Sequence, residues 1–314
     1  MEALMDKLLI VGIESLSGSN LALALEDRFV VSGVSRDGSF QLEGVETAVM
    51  RRDDLAGLEY HVAETAPRWI LHCPLTAASS WNLDPAMTSI SDESAAAVSM
   101  ANWAAANDAR LTVLSTDVMF AGPRMFHAET SPTGASGVWP DGARRMEQAV
   151  SNTNALVVRS HAFGWSPQED SFAEQVWSAC TDRRPMAVDG RRHATPILIT
   201  DLAEFLAKAY QADLQGIWHI AGAERTSPFR FACELAVALG LPGPQAAMPN
   251  NGNAESLDRA ETSLCSRRAQ HELDLSLPLL RDGLQRFAAQ AENGWRDRLR
   301  GEAWETAISP RRAA

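Results

Sequence analysis

Short, uniformly apolar runs alternate along this chain with stretches of helical length, and that alternation restricts the fold more than any other feature. The runs occupy residues 8–12, 29–34, 69–73, 111–115 and 155–158, and stretches 17–25, 55–65 and 95–107 between them carry helix-type patterning. A strand that is apolar on both faces must be covered on both. Strands separated by helices lie side by side in one direction, so the pattern predicts a parallel sheet with helices on each face. The expected class is α/β, a Rossmann-like doubly wound parallel sheet. After about residue 164 the rhythm breaks: residues 166–171 and 183–196 read as loops, a helix follows Thr200-Asp201, a strand spans 216–220, and a helix runs over 227–239 with Gly240 as its stop. Residues 241–254, rich in Pro, Gly and Asn, read as a surface excursion.

Composition narrows the chemistry. With 314 residues, 46% of them hydrophobic, the chain can bury a large core and still leave a cleft. Its 40 acidic residues outnumber 28 basic ones, a formal net charge of −12 that repels phosphate backbones and anionic lipid. Nucleic acid and membrane are therefore not expected partners. The N-terminus, Met1-Glu-Ala-Leu-Met-Asp-Lys7, enters an apolar run within a few residues and is unlike a signal peptide, so a cytoplasmic location is expected. Cys73, Cys180, Cys233 and Cys265 are too scattered for a disulfide framework and read as reduced. No two histidines lie three or four residues apart, so no metal is expected.

A strand, turn and helix follow one another at Leu8-Leu-Ile-Val-Gly12-Ile-Glu-Ser-Leu-Ser-Gly18, the order in which helix N-terminal amides receive a pyrophosphate. The glycine spacing is incomplete. Ser15 stands where a third glycine would let backbone approach a ligand, and Glu14 puts a carboxylate where phosphate oxygens would lie. Two readings follow: a weakened dinucleotide site, or a plain turn with Ser17 as helix N-cap. Arg36, past the second run, suits a ribose 2′-phosphate, so NADP(H) is expected over NAD(H) if a dinucleotide binds; a solvated turn arginine is the other reading. Asp53 and Asp54 are candidate adenine contacts or simple surface charge, and His72 joins Gly12, Ser15, Gly18 and Arg36 as a candidate cofactor neighbour.

At Leu114-Ser-Thr-Asp-Val-Met-Phe-Ala-Gly122 the chain resembles the dTDP-4-dehydrorhamnose reductase family, extended short-chain dehydrogenases that reduce a nucleotide-linked keto sugar with NAD(P)H. The likeness continues in order through Ala155-Leu-Val-Val-Arg159, Thr195-Pro-Ile-Leu-Ile-Thr-Asp-Leu-Ala203, Gly216-Ile-Trp-His-Ile-Ala-Gly222 and residues 259–267. It implies a Rossmann-like nucleotide-binding domain over 1–160 plus about 196–221, and a smaller substrate-type domain over about 161–195 plus 222–314. In that family a hydroxyl residue, a tyrosine and a lysine four residues later carry the reaction, because residues four apart share one helix face. Here the tyrosine position falls on Trp139 and the lysine position on Ala143. An indole N–H donates hydrogen bonds without titrating, and alanine carries no charge. The other tyrosines, Tyr60 and Tyr210, and the two lysines, Lys7 and Lys208, are remote in sequence. Arg144 and Arg145 point about 100° away from each neighbouring residue on a helix and are poor proton shuttles.

Several groups remain as candidates. Thr116 keeps the family's hydroxyl position, Ser115 and Asp117 are expected at the cleft floor as substrate contacts, and His161 is a titratable group at a strand end. Trp81 and Trp165, in loops near the expected cleft, are candidates for stacking on a base or sugar; Trp177 and Trp218 read as core. The missing dyad favours a nucleotide- or sugar-nucleotide-binding or regulatory protein without normal turnover, with NADP(H) binding weakened or lost and a protein partner or second copy as its counterpart. The overall likeness favours the alternative, an active NADP(H)-dependent oxidoreductase reducing a nucleotide-linked 4-keto-6-deoxysugar.

Overall fold

The computed structural model describes residues 5–38, 40–83, 87–188, 190–247 and 261–300. The first half runs β1 (Lys7–Val11), α1 (Leu16–Leu25), β2 (Val30–Ser35), β3 (Glu46–Val49), α2 (Leu55–Thr65), β4 (Trp69–His72), α3 (Ser94–Ala106), β5 (Arg110–Thr116), α4 (Val138–Val150) and β6 (Leu156–Ser160). The second half adds β7 (Ala162–Phe163), α5 (Phe172–Thr181), β8 (Pro185–Ala187), β9 (Ile197–Leu198), α6 (Ile199–Gln211), β10 (Gly216–His219), α7 (Pro228–Ala238), β11 (Gln245–Ala247), α8 (Arg267–Glu272), α9 (Leu280–Gln290) and α10 (Trp295–Arg300). Seven strands form one parallel sheet in the order β10-β6-β5-β4-β1-β2-β3. This is the doubly wound class that the alternation predicts.

The two-residue period of a strand divides the core. Leu8 and Ile10 pack with Leu21, Trp69, Leu71 and the α6 face, whereas Leu9 and Val11 pack with Ile70, Val113, Val157 and the faces of α2 and α3. Because β1 and β4–β6 supply both layers, they contain no regular polar alternation. Helix starts are fixed locally: Ser171 and Glu174 form a reciprocal capping box on α5, and Ser227 accepts from the Arg230 amide ahead of Pro228 on α7.

Three expectations change. The α1 cap is Ser15, whose side chain accepts from the Gly18 amide, and Ser17 lies inside the helix. The edge strand β3 was not expected, because Glu46-Thr-Ala-Val49 is partly exposed along its length and lacks a continuous apolar run. The supposed loop over 183–196 contains β8, which pairs with β11 from the supposed excursion over 241–254; residues 248–254 of that excursion, and Arg259 and Ala260 of the 259–267 stretch, lie outside the described residues.

Candidate functional site

The sheet reverses its winding where β1 lies between β2 and β4, and the crevice beyond the carboxyl ends of those strands is where this architecture holds a ligand. The turn leaving β1 is tight for steric reasons. Gly12 has φ +90°, and a Cβ there would meet the Cys73 carbonyl oxygen at 2.2 Å; a Cβ on Gly18 would meet the Gly12 carbonyl oxygen at 2.2 Å. Both glycines are thus required by backbone approaching backbone.

What fills the crevice next to this turn is the chain's own charge. Glu14 Oε2 accepts from the Arg36 amide at 3.1 Å, and its Oε1 lies 3.1 Å from Arg52 Nη2. Arg52 Nη1 is also 3.1 Å from Glu93 Oε1, and Glu93 Oε2 accepts from the Leu75 amide. Arg36, only 3% exposed, donates Nη2 to the Arg52 carbonyl at 2.7 Å. Burial pushes the Glu14 carboxyl above the usual carboxylate range, only partly countered by backbone donors and Arg52. Burial likewise lowers the Arg36 guanidinium. His72 is fully buried with neither ring nitrogen hydrogen-bonded, and burial lowers its pKa, so it sits as a neutral ring behind the cluster.

These residues do not fit a dinucleotide bound in the usual way. The Gly18 amide is already taken by Ser15 Oγ, and a carboxylate stands in the path of the phosphates. The adenine candidates are engaged elsewhere: Asp54 caps α2 through the Gly57 amide, and Asp53 is a surface acid paired with Arg51. Arg36 is a buried member of the cluster, not a solvated turn residue.

Helix α4 carries Trp139 and Ala143, the two residues onto which the resemblance places a tyrosine and a lysine. Trp139 and Ala143, four residues apart, face one apolar cluster with Val118 and Met119, and Ala143 is 1% exposed. The indole Nε1 is buried without a hydrogen-bond partner. Arg144 is turned away to the carbonyls of Thr133 and Ala135, and Arg145 lies 3.7 Å from Asp92. Tyr60 is exposed on α2; Tyr210 stacks on Trp69 and donates to Asp6 at 2.8 Å; Lys7 donates to the Thr65 carbonyl; Lys208 is exposed on α6. None of the four reaches α4.

The expected floor residues lie beneath the cleft surface. Thr116 is fully buried, donates to the Ala78 carbonyl at 2.7 Å and accepts from the Val118 amide, which commits its hydroxyl to backbone groups. Ser115 donates to Glu147 at 2.6 Å, and Glu147 is in turn gripped by Arg159 through two hydrogen bonds of 2.8 and 2.6 Å. Asp117 is fully buried and gathers the Ser80 hydroxyl at 2.7 Å, the Ser80 amide at 3.0 Å, His161 Nδ1 at 2.7 Å and the Thr262 hydroxyl. Burial opposes its ionisation, but His161 and the hydroxyls outweigh that and hold the carboxyl below its ordinary pKa. His161 is 1% exposed and its Nε2 has no hydrogen-bond partner; Trp81 packs edge-on against it at 4.5 Å. Trp165, expected near the cleft, is 2% exposed and stacked on Phe287 at 4.3 Å, leaving no face for a ligand. Trp81 is half-buried among His161, Phe172 and Phe231.

Above this floor opens a cavity of about 960 Å³. Ser80 and Thr262, whose hydroxyls donate to Asp117, line it together with Trp139 and Val118, and Arg124, His127, Arg192 and His193 border it. His127 stacks on Phe120 at 4.5 Å, and burial lowers its pKa. Sequence reasoning missed Ser80, Thr262, Arg52 and Glu93. Thr262 alone lay within a stretch that carried the resemblance; the others had no signal, because their side-chain partners are 37 or more residues away. Among the described residues no group of side chains could hold a metal ion, and no helix is long and apolar enough to cross a membrane.

Solved structures reproduce this fold. A dTDP-4-dehydrorhamnose reductase from Bacillus anthracis in complex with NADP is 17% identical and superposes with a TM-score of 0.74 over 91% of this chain and 100% of its own. A hypothetical dTDP-4-dehydrorhamnose reductase from Sulfolobus tokodaii is 20% identical, with a TM-score of 0.70 over 88% and 98%. A UDP-glucose 4-epimerase from Thermotoga maritima with UDP-glucose is 15% identical, with a TM-score of 0.71 over 92% and 99%. At these identities the likeness speaks for the fold alone, and no curated protein shows a significant sequence match. The RmlD substrate binding domain model, by contrast, matches residues 6–293, which takes in the glycine turn, α4 and the Asp117 floor together. With nearly the whole chain accounted for by that one model, the protein belongs to the RmlD substrate binding domain family.

Proposed function

We propose that this protein is a reductase-like short-chain dehydrogenase homologue that binds a nucleotide or sugar nucleotide in its 960 Å³ cavity and acts by binding, without the normal reductase turnover of its relatives. One observation carries the reading: at the general-acid position stands the Trp139 indole, packed with Ala143, Val118 and Met119, and an indole does not titrate to give a ketone its proton. Loss of a general acid slows such a reaction by about 10²- to 10⁴-fold. The cavity suits the ligand class. Arg124 and Arg192 at its border attract phosphate, while Phe120, Trp139 and the Ser80 and Thr262 hydroxyls offer apolar walls and sugar-hydroxyl partners. NADP(H) binds weakly or not at all in this reading, and the bound state serves a protein partner or a second copy.

The alternative, an active NADP(H)-dependent oxidoreductase of a nucleotide-linked 4-keto-6-deoxysugar, draws on Ser80 and Thr262, which line the cavity while their hydroxyls bond to Asp117. A hydroxyl whose proton is held by a carboxylate accepts a proton more readily than it releases one to a carbonyl, which ranks this reading second. Calorimetry with dTDP and dTDP-rhamnose, beside an NADPH-oxidation assay with dTDP-4-dehydrorhamnose, separates the two. Saturable dTDP-sugar binding with no enzyme-dependent NADPH oxidation is the expected result. Turnover near 10 per second, roughly the median for enzymes, overturns it.

A further inference from the structure

We propose that Glu14 is a built-in competitor for the phosphate of a dinucleotide: its carboxylate, held by the Arg36 amide and the Arg52 guanidinium, occupies the anion position of the crevice between β1 and β2, and its removal opens that position to NADPH. The inference rests on reading this crevice as the nucleotide end of the fold, but not on the loss of turnover at α4.

Position comes first. Glu14 lies two residues beyond Gly12, in the turn between β1 and α1, and its Oε2 is 3.1 Å from the amide of Arg36, the residue that follows β2. The end of β2 and the start of α1 are the two edges between which this architecture takes the adenosine half of a dinucleotide. A side chain bridging those edges therefore excludes that ligand sterically as well as electrically.

Charge balance points the same way. Glu14 and Glu93 both pair with Arg52 at 3.1 Å and both act on the Arg36 guanidinium through space, two carboxylates against two guanidiniums, so these four side chains offer an arriving phosphate no net positive charge. One imbalance remains in the hydrogen bonding. Arg36 Nε and Nη1 are buried without acceptors, although the residue is 3% exposed. Such donors are costly to leave unmade. A phosphate in place of the Glu14 carboxylate has oxygens to spare for them and for Arg52. The burial-driven rise in the Glu14 carboxyl pKa is consistent with a charge held where the surroundings disfavour it.

The turn is also tied down from the other half of the chain. Gln168 Nε2 donates to the Glu14 carbonyl at 3.0 Å, and Asn20 Nδ2 on α1 donates to the Trp165 carbonyl at 2.7 Å. The segment after β7 thus straps the start of α1, and the carboxylate is kept in register with Arg36.

The test is NADPH titration of the full-length wild type and of Glu14→Gln and Glu14→Gly, followed by nicotinamide fluorescence, with thermal melting as a check that each variant folds. The glutamine keeps the size and the acceptor for the Arg36 amide, and so guards against a folding failure of the glycine variant. Removing a like charge from a phosphate site is expected to tighten binding by at least about 30-fold, since juxtaposed like charges oppose binding strongly. The gain should vanish in Glu14→Gln/Arg52→Ala, where the released cation is gone. Micromolar binding of NADPH by the wild type overturns the proposal, as does a folded Glu14→Gln protein that binds no more tightly than wild type. Because the readout is affinity, failure here leaves the turnover assay to judge the proposed function separately.

Discussion

At the β1–β2 crevice the chain meets itself with its own charge, Glu14 and Glu93 both paired with Arg52 and Arg36 buried beside them, whereas beyond β5 and β6 it leaves about 960 Å³ of open space. Both regions sit at the carboxyl ends of one parallel sheet and both bury ionisable groups. In the first, a side chain from the turn itself occupies the crevice. In the second, the buried charges of Glu147, Arg159 and Asp117 lie beneath the floor and satisfy one another or nearby hydroxyls, so the surface above them stays clear.

The largest expected effect links the two ends. Trp139→Tyr with Ala143→Lys supplies the tyrosine and lysine that the resemblance places on α4 but should leave NADPH-dependent reduction of dTDP-4-dehydrorhamnose at background, because Glu14 still holds the crevice. Adding Glu14→Gln should raise the rate at subsaturating NADPH by at least about 30-fold, the expected gain in cofactor affinity. Equal rates in the double and triple variants would break the comparison. The Ala143→Lys ammonium would enter the cluster of Val118 and Met119, so circular dichroism must accompany the assay.

A second experiment addresses the floor. Arg159→Met leaves Glu147 buried without its ion-pair partner and should cost about 3–5 kcal/mol in urea unfolding; Arg159→Met/Glu147→Leu should recover much of that. Recovery would sharpen the view that the pair supports the cavity by mutual satisfaction. At the other end, Gly12→Ala drives a Cβ into the Cys73 carbonyl at a positive φ, and about 1–3 kcal/mol of strain is expected from the same measurement. A variant as stable as wild type would mean that the turn is looser than described.

Acid should treat the two ends differently. Burial, with Arg159 beside it, lowers the His219 imidazole to about 3. Its unfolded pKa is about 6.5, so the unfolded chain binds more protons between these values, and stability falls as pH drops through that window. Glu14 has the opposite sign: its raised folded pKa contributes stability that is present below its unfolded value and lost as pH rises through the folded one. Urea unfolding at pH 7.5 and 5.0 should therefore show a loss in the wild type that shrinks in His219→Gln. An unchanged slope would remove His219 from the account. The smallest effect belongs to Asp53, a fully exposed acid paired with Arg51: Asp53→Ala should alter neither the melting temperature nor any ligand affinity.

Much of the scaffold was legible before any coordinates. The apolar runs at 69–73 and 111–115 become β4 and β5 within one residue at most of their ends, because a strand covered on both faces has no polar alternation to blur it. The edge strand β3 escaped notice because half-exposed residues carry no such mark. Within the site, the sequence alone determined that α4 carries neither a tyrosine nor a lysine: that is a matter of residue identity and needs no geometry. Tertiary structure decided the rest. Whether Thr116 serves a ligand or the Ala78 carbonyl, whether Trp165 stacks on a base or on Phe287, and that Glu14 finds Arg52 across 38 positions all depend on which loops meet. Periodicity reports which way a side chain faces along its own element; the partner it meets there is chosen by packing between distant segments, and local sequence carries no record of that choice.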